Sequence, residues 1–189
     1  MCFMNELQKK KLLKVARDSV EAAVSRRPAL QPYSDDPELN KPCGCFVTLK
    51  NGEDLRGCIG QFVAESPLIE TVAEMAKASS TGDPRFVGNR IGIKELPLLE
   101  IEISVLSPLK KTDDPLSLRL GVDGIYIKRD FMSGCYLPQV ATETGWSKEH
   151  FLSHCCMHKA GLPPDAWKDK KTDVFLFTAE IFSAPFNKI

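Results

Sequence analysis

The chain has 189 residues, 25 of them lysine or arginine and 25 aspartate or glutamate. That length buries a full hydrophobic core without staples, and the balanced charge leaves no global field to draw the protein onto nucleic acid or an acidic membrane. Apolar runs fall far short of the roughly 18 residues that suggest a membrane span. The N-terminal Met1-Cys2-Phe3-Met4-Asn5-Glu6-Leu7 leads into lysines rather than an export signal, so a cytoplasmic protein is expected.

From about Asn5 to Arg26 the apolar residues Leu12, Leu13, Ala16, Val20, Ala23 and Val24 recur at three- and four-residue steps, the mark of an amphipathic helix that Pro28 ends. Pro28, Pro32, Pro37 and Pro42 make the following stretch a connecting loop. Cys45 to Leu49 and Leu55 to Ile59 flank Asn51-Gly52, a strong hairpin signal. Ser66 is placed to cap a helix with Pro67 at its first position and Leu68, Val72, Met75 and Ala76 on its buried stripe. Thr81-Gly82-Asp83-Pro84 breaks that helix. Leu99 to Val105 alternates apolar with polar and predicts a strand. Ile125-Tyr126-Ile127 and Gly134 to Leu137 read as a second hairpin, closed by Pro138. Ser147 is placed to cap a helix running to about Ala160, with Gly161 as its left-handed stop. Val174 to Phe182 reads as a final strand. Strands in hairpins and helices in blocks predict an α+β fold, a mainly antiparallel sheet with flanking helices. Residues 1–189 are expected to form one domain, or two interlocked subdomains.

Leu55-Arg56-Gly57-Cys58-Ile59-Gly60 resembles the signature of the AMMECR family. Further pieces follow in family order: Phe46 to Leu49, Asp83-Pro84-Arg85-Phe86, Glu95-Leu96-Pro97, Glu102 to Leu106, Gly124-Ile125, Leu137-Pro138-Gln139-Val140-Ala141, Gly145-Trp146 and Lys159-Ala160-Gly161-Leu162. The resemblance covers nearly the whole chain, with Glu53-Asp54 lengthening the hairpin loop by one residue. It implies an intracellular α+β protein of the AmmeMemoRadiSam type, with Memo-like and radical-SAM proteins as partners. It supplies neither a reaction nor a cofactor.

In Arg56-Gly57-Cys58-Ile59-Gly60, glycines on both sides let a ligand or another backbone come close to a thiol. Cys58 is the candidate nucleophile or substrate contact, and Arg56 and Arg85 are candidate anion clamps. Asp83 is a candidate general base or orienter. Gln139 offers an amide just past a strand end, and Gly57 and Gly60 complete the candidate binding set. Arg56, Cys58, Arg85 and Gln139 are expected to converge on one cleft for a small molecule or a modified residue. The same residues also fit structural roles: Cys58 as a small buried hydrophobe, Asp83 capping a turn, Gln139 opening a helix. A non-catalytic adaptor, anchored by Phe86, Trp146 or Tyr136, is the main alternative, and a nucleic-acid role ranks third.

The only histidines, His150, His154 and His158, share one helix face. Two ligands at i and i+4 still need others for a closed metal site. Cys43, Cys45 and Cys58 depend on hairpin register. A two-residue turn at Asn51-Gly52 sets Cys45 opposite Cys58, whereas a four-residue loop at 51–54 sets Val47 there. Neither register completes a four-ligand site, and no metal is expected. Seven cysteines, an odd number with no export signal, predict reduced thiols. Alkylation of the denatured chain without reductant should add seven labels per chain by intact mass; fewer would mean disulfides.

Overall fold

The computed structural model describes residues 4–28, 31–63 and 65–189. The chain divides into two compact units: residues 1–106 with 180–189, and residues 107–179 inserted in the sequence between them.

The first unit begins with α1 (Glu6–Val24), capped by Asn5, whose side chain accepts from Gln8 N while Gln8 reaches back to Asn5 N. Leu12, Ala16 and Val20 form its buried stripe, and the helix stops short of Arg26, which turns to φ 55°. Strands β1 (Cys45–Asn51) and β2 (Asp54–Gln61) form the first hairpin. Then come α2 (Leu68–Thr81), β3 (Leu99–Leu106) and, after the second unit, β8 (Ala179–Pro185). The sheet order is β2-β1-β3-β8, so β2 is an edge strand. Val47, Leu49, Ile101 and Ile103 meet Leu12, Ala16, Val20, Val72 and Ala76 in the core.

Three local expectations are revised here. The bend centres on Gly52-Glu53, because Gly52 takes φ 59° and Asn51 pairs with Asp54. A bulge lies farther along: Leu49 faces Gly57 while Lys50 faces Leu55, leaving Arg56 as the extra residue. Thr48 therefore stands opposite Cys58, a register different from both anticipated ones. Finally, Pro67 rather than Ser66 holds the cap position of α2, without a side-chain cap. The first free N–H groups of that helix donate to the proline-rich loop instead, Leu68 N to Lys41 O at 3.0 Å and Ile69 N to Leu39 O at 3.1 Å.

The second unit holds β4 (Lys110–Thr112), β5 (Gly124–Arg129), β6 (Met132–Tyr136), α3 (Pro138–Thr144), α4 (Lys148–Cys155) and β7 (Asp173–Phe177). Its sheet runs β4-β7-β5-β6. Ile125, Ile127 and Val174 pack with Phe151, Leu152, Cys155 and Trp167. The last strand expected at Val174 to Phe182 is two strands in two sheets, parted at Thr178, whose N–H and carbonyl are taken by Ser107. Helix α4 passes at Cys156–Ala160 into a wide π turn ended by Gly161 at φ 66°. Both sheets are antiparallel, so the fold is α+β as expected.

Helix α2 grips the hairpin through Ser79, which accepts from Ile59 N at 2.9 Å and donates to Val47 O at 2.7 Å. Ser79→Ala should destabilise the protein by about 1–3 kcal/mol, since it orphans buried backbone groups. Ser80→Ala, which loses only a bond to Lys77 O within the helix, should cost less. Urea denaturation midpoints check both.

Candidate thiol and arginine site

The site is built on the edge strand β2 and on the turn after α2. Gly57 lets the two backbones close, because a Cβ there would come within 2.0 Å of Ser79 O. A Cβ on Gly60 would strike the Phe46 ring at 2.3 Å. Room beside both glycines is thus filled by the chain itself.

Asp83, at the start of the turn Pro84–Phe86, is buried with its carboxylate surrounded by donors. Oδ2 accepts from Cys58 N at 2.9 Å and Arg85 Nη2 at 2.6 Å. Oδ1 accepts from Arg85 N at 3.1 Å and Arg85 Nε at 3.0 Å. The Arg85 side chain, aided by these backbone N–H groups, overcomes burial and holds the carboxyl down at about 2. Asp83 is therefore ionised at neutral pH.

The two arginines meet different fates. Arg56, swung by the bulge, is buried, and its fork is spent on both oxygens of Glu95 and on Asn89 O at 3.1 Å. Arg85 is half exposed. Beyond Asp83, its Nη2 donates to Cys58 O at 3.1 Å. Among the described residues Nη1 has no hydrogen bond. Asp83 first, and Cys58 to a lesser degree, favour the charged form of Arg85. The Phe86 ring lies under both guanidiniums, 5.8 Å from Arg56 Cζ and 5.6 Å from Arg85 Cζ.

Cys58 is half-buried, and Thr48 Oγ1 donates to its Sγ at 3.3 Å. Arg56, Gly57, Cys58, Gly60, Asp83 and Arg85 thus gather in the first unit. Gln139 belongs to the second unit, in the first turn of α3, where its Oε1 is buried with no hydrogen-bond partner among the described residues. Among the described residues no group of three or more His, Cys, Asp or Glu is arranged to hold a metal.

The AMMECR1 family profile matches residues 13–182. The chain belongs to the AMMECR1 family. A protein of Methanothermobacter thermautotrophicus is 42% identical over 178 residues, 90% of this chain and 91% of its own length. Protein PH0010 of Pyrococcus horikoshii is 38% identical over 186 residues, covering 93% of this chain and 89% of that one. A crystal structure of the uncharacterised protein PH0010 superposes with a TM-score of 0.85, over 94% of this chain and 91% of that chain. No helix of the described residues is long and apolar enough to cross a membrane.

In this AMMECR1-family chain, sequence reasoning passed over Thr48, Ser79 and the role of Glu95. Ser79 carries a usable signal, a polar residue in line with the apolar stripe of α2. Glu95 gives none, because its partner is chosen by a bulge.

Asp83 supports a pH prediction. Its folded-state pKa is depressed below the ordinary 3.8, so its stabilisation is present above that value and lost as pH falls through about 2. Asp83→Asn should cost about 1–2 kcal/mol at pH 7. In urea titrations its gap to the native protein should close between about pH 4 and pH 2.

Proposed function

We propose that the AMMECR1-family first unit binds a small molecule or modified residue bearing an anionic group, with Arg85 as anchor and Cys58 as the nucleophile or contacting thiol. The observation that carries this reading is the posture of Arg85. One edge of its guanidinium is fixed by Asp83 and Cys58 O, while Nη1 remains unspent and half the side chain faces outward. A fork held this way meets a carboxylate or phosphate with little ordering cost. A hydroxyl donor and a guanidinium beside Cys58 are suitable neighbours for a nucleophilic sulfur.

Within this reading Asp83 orients Arg85 and the Cys58 backbone rather than taking protons. Arg56 braces the bulge through Glu95. Gln139 belongs to the second unit and takes no part in this reading; Memo-like and radical-SAM proteins remain the proposed partners. A second reading, a docking surface for a protein partner, is favoured by Val87, Ile93 and Leu98, which are 60–63% exposed in the segment that also carries Glu95.

Alkylation read at the Cys58 peptide tests the anion anchor. The rate ratio of anionic iodoacetate to neutral iodoacetamide should fall about two- to fivefold in Arg85→Ala, the size of a partly screened charge interaction. Arg85→Lys should keep most of the ratio. An unchanged ratio in Arg85→Ala, or a Cys58 that resists both reagents in the folded protein, would overturn the proposal.

A further inference from the structure

The second unit carries a column of rings that the thiol site does not use. His150, His154 and His158 project from α4 and its π turn. Their ring centroids are 5.8 Å apart for His150 and His154, at an interplanar angle of 20°, and 4.0 Å apart for His154 and His158. Trp146 packs on the first two, at 5.0 Å and 4.2 Å. Tyr136 Oη lies 2.7 Å from His154 Nδ1. His150 and His158 are exposed, and His154 is half-buried.

We propose that His150 and His154 form a two-imidazole site for a divalent transition metal ion of the nickel, cobalt or zinc class, with Tyr136 as the positioning residue. Solvent completes the coordination shell. Imidazole nitrogen is the donor these ions favour.

Two imidazoles sharing an ion at about 2.0–2.1 Å, with about 1.1 Å more to each ring centre, have centroids roughly 4.5–5.5 Å apart for ligand angles of 90° to 120°. The His150–His154 pair, at 5.8 Å and 20° between planes, lies just outside that range, and both rings must turn from their stacked posture to close on an ion. His154 and His158, at 4.0 Å, are too closely stacked to share one. The π turn causes that difference by returning His158 over its neighbour. The three rings do not converge on one point, which agrees with the lack of a preformed three-ligand group.

Tyr136 holds one of the two imidazoles in place. When His154 Nδ1–H donates to Tyr136 Oη, the Nε2 lone pair is left free, the usual arrangement of a ligating histidine held by an outer partner. Trp146 packs against the same ring, 4.2 Å between centroids.

The test is titration calorimetry of the full chain with Ni²⁺ alone, repeated spectroscopically with Co²⁺, each variant first checked for an unchanged melting curve. One ion per chain is expected. His154→Ala and His150→Ala should each weaken binding at least tenfold, Tyr136→Phe about tenfold, and His158→Ala less than about threefold. An affinity weaker than about 1 mM would overturn the proposal. So would equal binding by a His150→Ala/His154→Ala double variant. A Co²⁺ spectrum with sulfur charge-transfer bands would assign the ion to cysteines and overturn it too.

Discussion

Strand β2 is at the edge of its sheet, and the way it is held there governs the first unit. An edge strand presents unpaired backbone groups that must be covered or satisfied. Here the cover comes from α2 and the turn that follows. Asp83 takes Cys58 N, Ser79 bridges Ile59 N to Val47 O of the neighbouring strand, and Gly57 removes the Cβ that would keep the backbones apart. A residue larger than glycine at position 57 would push strand and helix apart and break both bonds together.

The posture of the charged groups follows from that clamp. Because Asp83 is held against β2, Arg85 folds back over Cys58 and leaves one nitrogen without a hydrogen bond among the described residues. Because the bulge puts Arg56 out of the ladder, its guanidinium reaches Glu95 and closes a buried ion pair. Such a pair is costly to break and of little use to a ligand. Two arginines that look alike in the sequence become a brace and an exposed fork, with Phe86 beneath both.

The second unit solves a similar packing problem differently. Gly134 on β6 lets the backbone at Lys159 and Ala160 approach, since a Cβ there would meet Ala160 N at 2.4 Å. Leu162 N donates to Cys156 O at 2.8 Å and closes the wide turn after α4. This local winding, rather than helix periodicity alone, sets the unequal spacing of the histidine rings.

The amino-acid sequence by itself located most of the elements and pointed to the family, though not strand β4. Apolar steps of three and four residues located α1 and α2, and period-two alternation located β3, because burial of one face leaves its imprint in residue order. The motif from Leu55 to Gly60 carried the resemblance to the AMMECR1 family. Tertiary structure alone decided the register of the first hairpin, the loss of Ser66 as a cap, and the splitting of the last strand at Thr178. The last two depend on partners distant in sequence, backbone carbonyls at Leu39 and Lys41 for α2 and Ser107 for Thr178, and the first on a local bulge at Arg56. The role of Arg56 was undecided for the same reason, since its partner Glu95 is 39 residues away; Arg85 meets the nearby Asp83, and only its reach to Cys58 O is long-range. A side chain's charge is written in the sequence, but the carboxylate it meets is chosen by the fold.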